Sequence, residues 1–284
     1  MLSTRCLPFN LTCKFRGSRK VINRRQCQRS LCVSGPAGRE WKLGDGLAYT
    51  SPLHEEWKAQ EEEGWKTWCG KTTPSREMYR LLTSSIIPRP IAFVSSLSAD
   101  GVPNLAPMSY FNVVSHNPPL LSVSLSLSPR RPKDTRENIK ATKQFTVNII
   151  SEPFIEAANS CSIEAPDYIN EWKVSGLTPE PSILVKPARV KESAVNFECE
   201  LYESLDFSSS PGESPSTSLI LGLIKQIHVR NAVLDDTKQT VDAAKLRPVA
   251  RLGGNAYTTL GNIFELDRPS WRALKDIAEK LNTK

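Results

Sequence analysis

Residues 121–128 read Leu-Ser-Val-Ser-Leu-Ser-Leu-Ser, apolar and hydroxyl side chains in strict alternation. Successive side chains of an extended chain point to opposite faces, so this run reads as a strand with one face buried in a sheet. Its surroundings extend that reading. Ile91 to Leu97 is strand-like, Ala99-Asp100-Gly101 signals a tight turn, and a second strand follows from Asn104 to Val114. Phe145 to Ile150, Asn196 to Leu205 and Leu219 to Val229 supply further strands, with Ser208 to Ser218 a loop between the last two. Helices are fewer. Thr73 and Pro74 suit an N-cap and a first helical position, which predicts a helix to about Ser84, before Pro88 and Pro90 force extended backbone. Asp134 to Thr142, with an Asp or Thr cap, and Pro153 to Cys161 are the other predicted helices. Short strands with scattered helices indicate an α+β or barrel arrangement and disfavour a doubly wound parallel sheet. The glycine fingerprint of a dinucleotide-binding strand-helix turn is also absent.

Charge is distributed unevenly over the 284 residues. The formal net charge is +7, yet nine of the 37 basic residues and no acidic one precede Glu40. The remainder carries 28 basic against 30 acidic residues, so the body is slightly acidic and offers no electrostatic footprint for nucleic acid. An Arg- and Ser-rich segment free of acids fits an organellar, mitochondrial transit segment over residues 1–39. A basic tail or a start codon placed too early stays open beside it, and without the leader the expected location is cytoplasmic. No run approaches the ~18 consecutive apolar residues of a membrane-spanning helix. Four of the seven cysteines fall in the leader, and Cys69, Cys161 and Cys199 are too scattered for a disulfide framework or a zinc site. Residues 40–77 form a Trp-rich extension in which Trp57, Trp65 and Trp68 have the spacing of one helical face, a packing signal.

The missing chemistry is informative. His54, His116 and His228 are the only histidines and none has metal-pair spacing; neither a G-x-S-x-G elbow nor an H-E-x-x-H motif occurs. A cofactor that brings its own reactivity explains this poverty, since the protein then needs only to bind, orient and polarise it.

Such a cofactor is suggested by Pro88-Arg89-Pro90-Ile91-Ala92, then Asn104-Leu105-Ala106-Pro107-Met108-Ser109-Tyr110-Phe111-Asn112, then Pro118-Pro119. This ordered series resembles the flavin reductase-like family of the FMN-binding split-barrel superfamily. The resemblance spans about residues 78–271, with 272–284 a C-terminal helix or tail, and implies a mainly β, Greek-key split barrel flanked by a few helices. In that family the first segment opens a barrel strand and the second lies along the flavin. Asn104, Ser109 and Asn112 are then expected at the ring's polar parts, with Tyr110 or Phe111 as apolar cover and Arg89 and Ala106 also among the cofactor-binding residues. The residues alone leave open a plain strand with a polar outer face.

Ser128-Pro129-Arg130-Arg131-Pro132-Lys133-Asp134-Thr135 is a basic turn entering a helix, where amides and the helix dipole favour an anion. The resemblance implies that Lys133 and Thr135, supported by Arg131, hold the FMN phosphate. Asp134 would repel it, so it is expected to cap the helix or to order a neighbouring base; a solvated basic turn is the alternative to the whole phosphate reading. His228 matches a late strand position and is the expected catalytic group near an incoming nicotinamide, or else a hydrogen-bonded wall residue. Arg251-Leu252-Gly253-Gly254-x-x-Tyr257 resembles a further family segment, which implies that Arg251 or Tyr257 borders the flavin of the same or the partner subunit; a plain C-terminal turn followed by a packing aromatic stays open beside it. Together these imply an FMN-bound, NAD(P)H-dependent homodimer that reduces a second acceptor. An oxygenase or oxidase of a small organic substrate, and a redox module with little turnover, are the rivals.

Overall fold

The computed structural model describes residues 43–47, 52–128, 133–266 and 268–283. The basic leader, its cysteines, Trp41 and Arg131 lie outside the described residues. Two compact units are present, residues 65–261 and residues 1–64 with 262–284. In the latter, α1 spans Pro52–Ala59. The shared helical face expected for the tryptophans does not form: a single helical turn ends at Gly64 with φ of 71°, and Trp65 beyond it is 96% exposed.

The larger unit opens with α2 (Ser75–Ser85) and a short β1 (Arg89–Pro90). Then come β2 (Ala92–Leu97), β3 (Pro103–Met108), β4 (Phe111–His116) and β5 (Pro119–Ser126). The single strand expected from Asn104 to Val114 is two, broken by a bend at Ser109 and Tyr110. After α3 (Asp134–Thr142) and β6 (Gln144–Ile149) follow α4 (Ile155–Ser160), α5 (Glu171–Ser175), β7 (Pro179–Glu180) and β8 (Arg189–Val190). A long hairpin, β9 (Val195–Ser208) and β10 (Pro215–Val229), leads to α6 (Ala243–Leu246), β11 (Val249–Arg251) and β12 (Tyr257–Thr259). The hairpin loop is shorter than the composition of residues 208–218 suggested, because Pro215 to Ser218 pair as strand. In the other unit, α7 (Trp271–Asn282) starts at Ser270, whose hydroxyl caps the Ala273 amide.

Seven strands pair in the order β3-β2-β6-β9-β10-β5-β4, and every ladder is antiparallel. A second sheet has the order β1-β11-β12. Alternation along β2 sends Ala92 and Val94 into one core, with Phe145, Leu121 and Ile139 of α3. Phe93 and the preceding Ile91 go into another, with Phe154, Trp172 and Val249. The alternating run of residues 121–128 behaves as its pattern predicts: Leu121, Val123 and Leu125 are buried in the first core, and the strand pairs with β4 and β10.

Gly222 of β10 is fixed by this packing. A Cβ there would sit 2.5 Å from the ring of fully buried Phe145 and 3.1 Å from Leu121. Beside it, the β9–β10 register slips so that Leu221 pairs with Glu203 and Gly222 with Leu201, leaving Tyr202 as the bulged residue.

Two buried charged side chains tie loops to the sheets. Arg89 donates through Nη1 to Thr83 O and to Ile86 O (3.0 Å), and through Nη2 to Leu252 O (2.9 Å). One guanidinium thus clasps the end of α2 to the chain beyond β11. Glu198 of β9, fully buried, accepts from the amides of Ile183 (2.8 Å), Leu184 (2.6 Å) and Val185 (3.1 Å). His228 Nε2 lies 2.6 Å from its Oε1. Burial pushes the Glu198 carboxyl upward, but these donors outweigh it and hold the group below the usual carboxylate range.

Three outcomes follow from this packing. Gly222→Ala must displace Phe145, and chemical denaturation is expected to show a loss of about 1–3 kcal/mol. Arg89→Met leaves three carbonyls without their donor, and the same measurement should register about 2–4 kcal/mol. For Glu198 the folded pKa is depressed, so its stabilisation is present above its unfolded value of about 4.3 and is lost as pH falls through the folded value. Glu198→Gln is therefore expected to flatten the acid limb of a urea-midpoint profile between about pH 5 and 2.

Candidate functional site

β3 is the margin of the large sheet, and its prolines shape what that margin offers. In the ladder to β2, Pro103 pairs with Leu97, Leu105 with Ser95 and Pro107 with Phe93. Proline has no N–H, so these alternate positions are the ones whose backbone faces away from β2. The amide between the two prolines, that of Leu105, donates to Glu171 Oε2 at 3.3 Å. Burial raises the Glu171 carboxyl above its ordinary range.

Past the end of β3 lies a cleft of about 550 Å³. Pro107 and Ser109 border it from one segment; Arg251, Asn255 and Tyr257 border it from another more than 140 residues on. Ile91, Ile150 and Ala158, members or neighbours of the second core, give it an apolar floor. Tyr79 of α2 and Asn159 of α4 complete the wall. The Arg251 guanidinium stacks 4.3 Å from the Tyr257 ring centre and donates to Gly254 O at 2.6 Å. Tyr257 donates its hydroxyl to Asn159 Oδ1 at 2.7 Å.

The double glycine explains why this segment reaches the cleft. A Cβ on Gly253 would lie 3.0 Å from Ser84 Cβ and 3.1 Å from its Cα, so the backbone passes directly against α2. Gly254 has φ of 59°, the left-handed region that a side chain disfavours.

At the opposite end of β3, Thr135 is buried and donates to Asn104 Oδ1 at 2.9 Å. Lys133 occupies the cap position of α3 with no side-chain cap. Asp134 is the first helical residue, one past the cap position that the extended Lys133 takes. Beside Asn104 is a small cavity lined by Asp100, Asp134, Glu137, Asp167 and Glu171. Five carboxylates repel an anion, so only the Lys133 side of this helix start suits a phosphate.

The remaining expected residues take varied positions. Arg89 is held by backbone carbonyls, with its guanidinium 6.0 Å from the Tyr110 ring. Ala106 is in the first core and Phe111 packs against it. Tyr110 is partly exposed, and burial of its hydroxyl raises its pKa, with Tyr79 adding to the effect. Asn112 is exposed on β4, its Oδ1 accepting the Val113 amide at 2.8 Å. His228 lines a different cavity, with Arg189 and Arg230, and shares no wall residue with the cleft.

Tyr79, Asn159 and Asn255 join the cleft without a motif to flag them. Glu198 had a faint one: Asn196 and Glu198 share a strand face opposite Phe197 and Cys199, but that pattern equally describes a solvated face.

Comparison with known proteins agrees with the motifs. Residues 83–244 match the family model described as flavin reductase like domain. An uncharacterized protein of Halalkalibacterium halodurans is 37% identical over 196 residues, 69% of this chain and 92% of that protein. Nitrilotriacetate monooxygenase component B from Bacillus cereus is 35% identical with a TM-score of 0.68, covering 72% of this chain and 99% of its own. A split-barrel-domain protein of Shewanella frigidimarina, 22% identical with a TM-score of 0.62 over 72% of this chain and 100% of its own, is similar in fold. The chain belongs to the flavin reductase-like domain family, a membership that implies flavin binding.

Proposed function

We propose that this chain is an FMN-dependent oxidoreductase that passes electrons from NADH or NADPH through the flavin to a second acceptor. The observation that carries this reading is convergence. Pro107-Met108-Ser109 and Arg251 to Tyr257, the two motif segments, meet in one cleft whose apolar floor and amide, hydroxyl and guanidinium rim match a flat heteroaromatic ring. From Asn104 to Ser109, β3 advances about 17 Å, so an elongated ligand along this margin has its ring in the cleft and its phosphate near Lys133. Lys133 and the first amides of α3 would hold the phosphate, with Thr135 fixing Asn104 rather than touching the ligand.

FMN supplies the electron chemistry, accepting a hydride and releasing electrons to the acceptor. The protein's part is binding and orientation. Tyr79 and Tyr257 would border a ring held in the cleft, Asn159 and Asn255 would offer amide hydrogen bonds, and Arg251 would add positive charge beside it. We read the large sheet as the split barrel, since its ladder order starts at β3 and ends at the next strand, β4. Val113 and Val114 on β4 are 70% and 51% exposed, and a second copy of the chain covers them in the homodimer that completes this reading.

The test is spectroscopic. Purified protein is expected to take up FMN, and NADH or NADPH should bleach it under anaerobic conditions. Lys133→Gln and Arg251→Gln should each raise the FMN dissociation constant about tenfold, the worth of one charge-assisted contact. Protein that stays colourless with added FMN overturns the proposal; a bound flavin that neither nicotinamide bleaches removes the reductase role.

A further inference from the structure

A second cavity, of about 510 Å³, lies where β8, the start of β9 and the end of β10 meet. Arg189, Lys191 and Arg230 border it, and His228 forms part of its wall. Glu180 is the one carboxylate among its lining residues. Three cations gathered around a concavity repel one another unless something negative sits among them.

The two arginines are positioned but not neutralised. Arg189 donates through Nε and Nη2 to Pro181 O, at 3.3 and 3.0 Å, and Arg230 donates through Nη2 to Lys191 O. Among the described residues, the ion pairs include none with Arg189, Lys191 or Arg230. Carbonyl contacts hold a guanidinium in place while leaving its full charge available, the pre-organisation that anion recognition requires.

His228 adds a hydrogen-bonding group to the wall. Its Nε2 faces the buried Glu198, which already takes three backbone amides, so the Nε2 position carries the proton. The other ring nitrogen, Nδ1, accepts when the ring is neutral and donates when it is protonated. Charged groups facing the ring and the cavity come from each element around them: Glu180 on β7, Arg189 on β8 with Lys191 just after it, Glu198 on β9, and Arg230 just after β10.

We propose that this cavity binds a phosphate group, held by Arg189, Lys191 and Arg230 and met by His228, at a site separate from the flavin cleft. The group is dianionic near neutral pH, and its source is either free phosphate or the phosphomonoester of a nucleotide. The inference stands on this cavity alone and does not depend on the flavin reading.

Titration of the full chain with inorganic phosphate, followed by the His228 ring proton resonance and by calorimetry, tests it. His228→Gln identifies the resonance among the three histidines. A saturable shift is expected, and His228→Gln should weaken phosphate binding several-fold. Arg189→Gln and Arg230→Gln should each weaken phosphate about tenfold while leaving FMN uptake and the thermal midpoint unchanged. Displacement of phosphate by NADPH but not NADH would assign the group to a nucleotide phosphomonoester; displacement by neither would assign it to free phosphate. Absence of saturation, or saturation that both arginine variants leave unaltered, overturns the proposal. Loss of FMN uptake in the arginine variants overturns its separateness from the flavin.

Discussion

Burial of β2 and β6 on both faces is the constraint on which the rest of the larger unit depends. A strand with a core on each side has no water to solvate a polar side chain, so every such group must find its partner inside. Asn148 of β6 shows the consequence. Its amide donates to Phe93 O at 2.8 Å, and its carbonyl accepts from Val190 N and from Asn196 Nδ2, both at 2.9 Å. Thr146 donates to Ala188 O at 3.0 Å. These bonds draw the segment around β8 onto the sheet. Glu198, reaching up from β9 to the amides of residues 183–185, fastens the same segment one turn earlier. The cavity beside His228 is therefore bounded by loops that the sheet's own unsatisfied polar groups have recruited.

The second core does the corresponding work for the cleft. Ile91, Ile150 and Ala158 belong to that core and also floor the cleft, so the cleft surface is continuous with the protein interior. Such a floor resists collapse because its residues are already packed from behind. The rim is assembled differently. α2 meets the segment after β11 through Arg89 and through Gly253, one a charged clasp and the other a contact too close for a side chain. An Arg and a Gly that both look like ligand contacts in a motif are thus what set the distance between the cleft's two walls.

What was legible in the sequence follows from the range of each signal. Alternation in residues 121–128 and the bounds of α3 are local signals, and both read correctly, although Lys133 and not an Asp or Thr takes the cap position. The prediction of one strand from Asn104 to Val114 failed at Ser109-Tyr110, because β propensity says nothing about where a chain leaves one side of a sheet for another. The tryptophan spacing failed for a similar reason, as helical periodicity cannot see that Gly64 interrupts the helix. Family motifs identified Ser109, Arg251 and Tyr257, which the fold does gather. Tyr79 and Asn159 were invisible, since nothing in their own neighbourhoods distinguishes a cleft wall from an exposed helix face.

The motifs also grouped residues that the fold separates. Asn104, Ala106 and Met108 point to the face of β3 covered by α3, whereas Leu105 and Pro107 point to the face of the second core. A consecutive run such as Asn-Leu-Ala-Pro therefore cannot present all its side chains to one ligand. Ala106 fills the first core, Leu105 the second, and the prolines strip donors from the outer margin. What the run forms is a margin with few free amides, running from the start of α3 to the cleft. His228 is separated from it by more than sequence, because β10 carries it to the end of the hairpin where Glu198 waits. Of the two expectations for His228, a place near a nicotinamide or a hydrogen-bonded place in the wall, the contact with Glu198 fits the second.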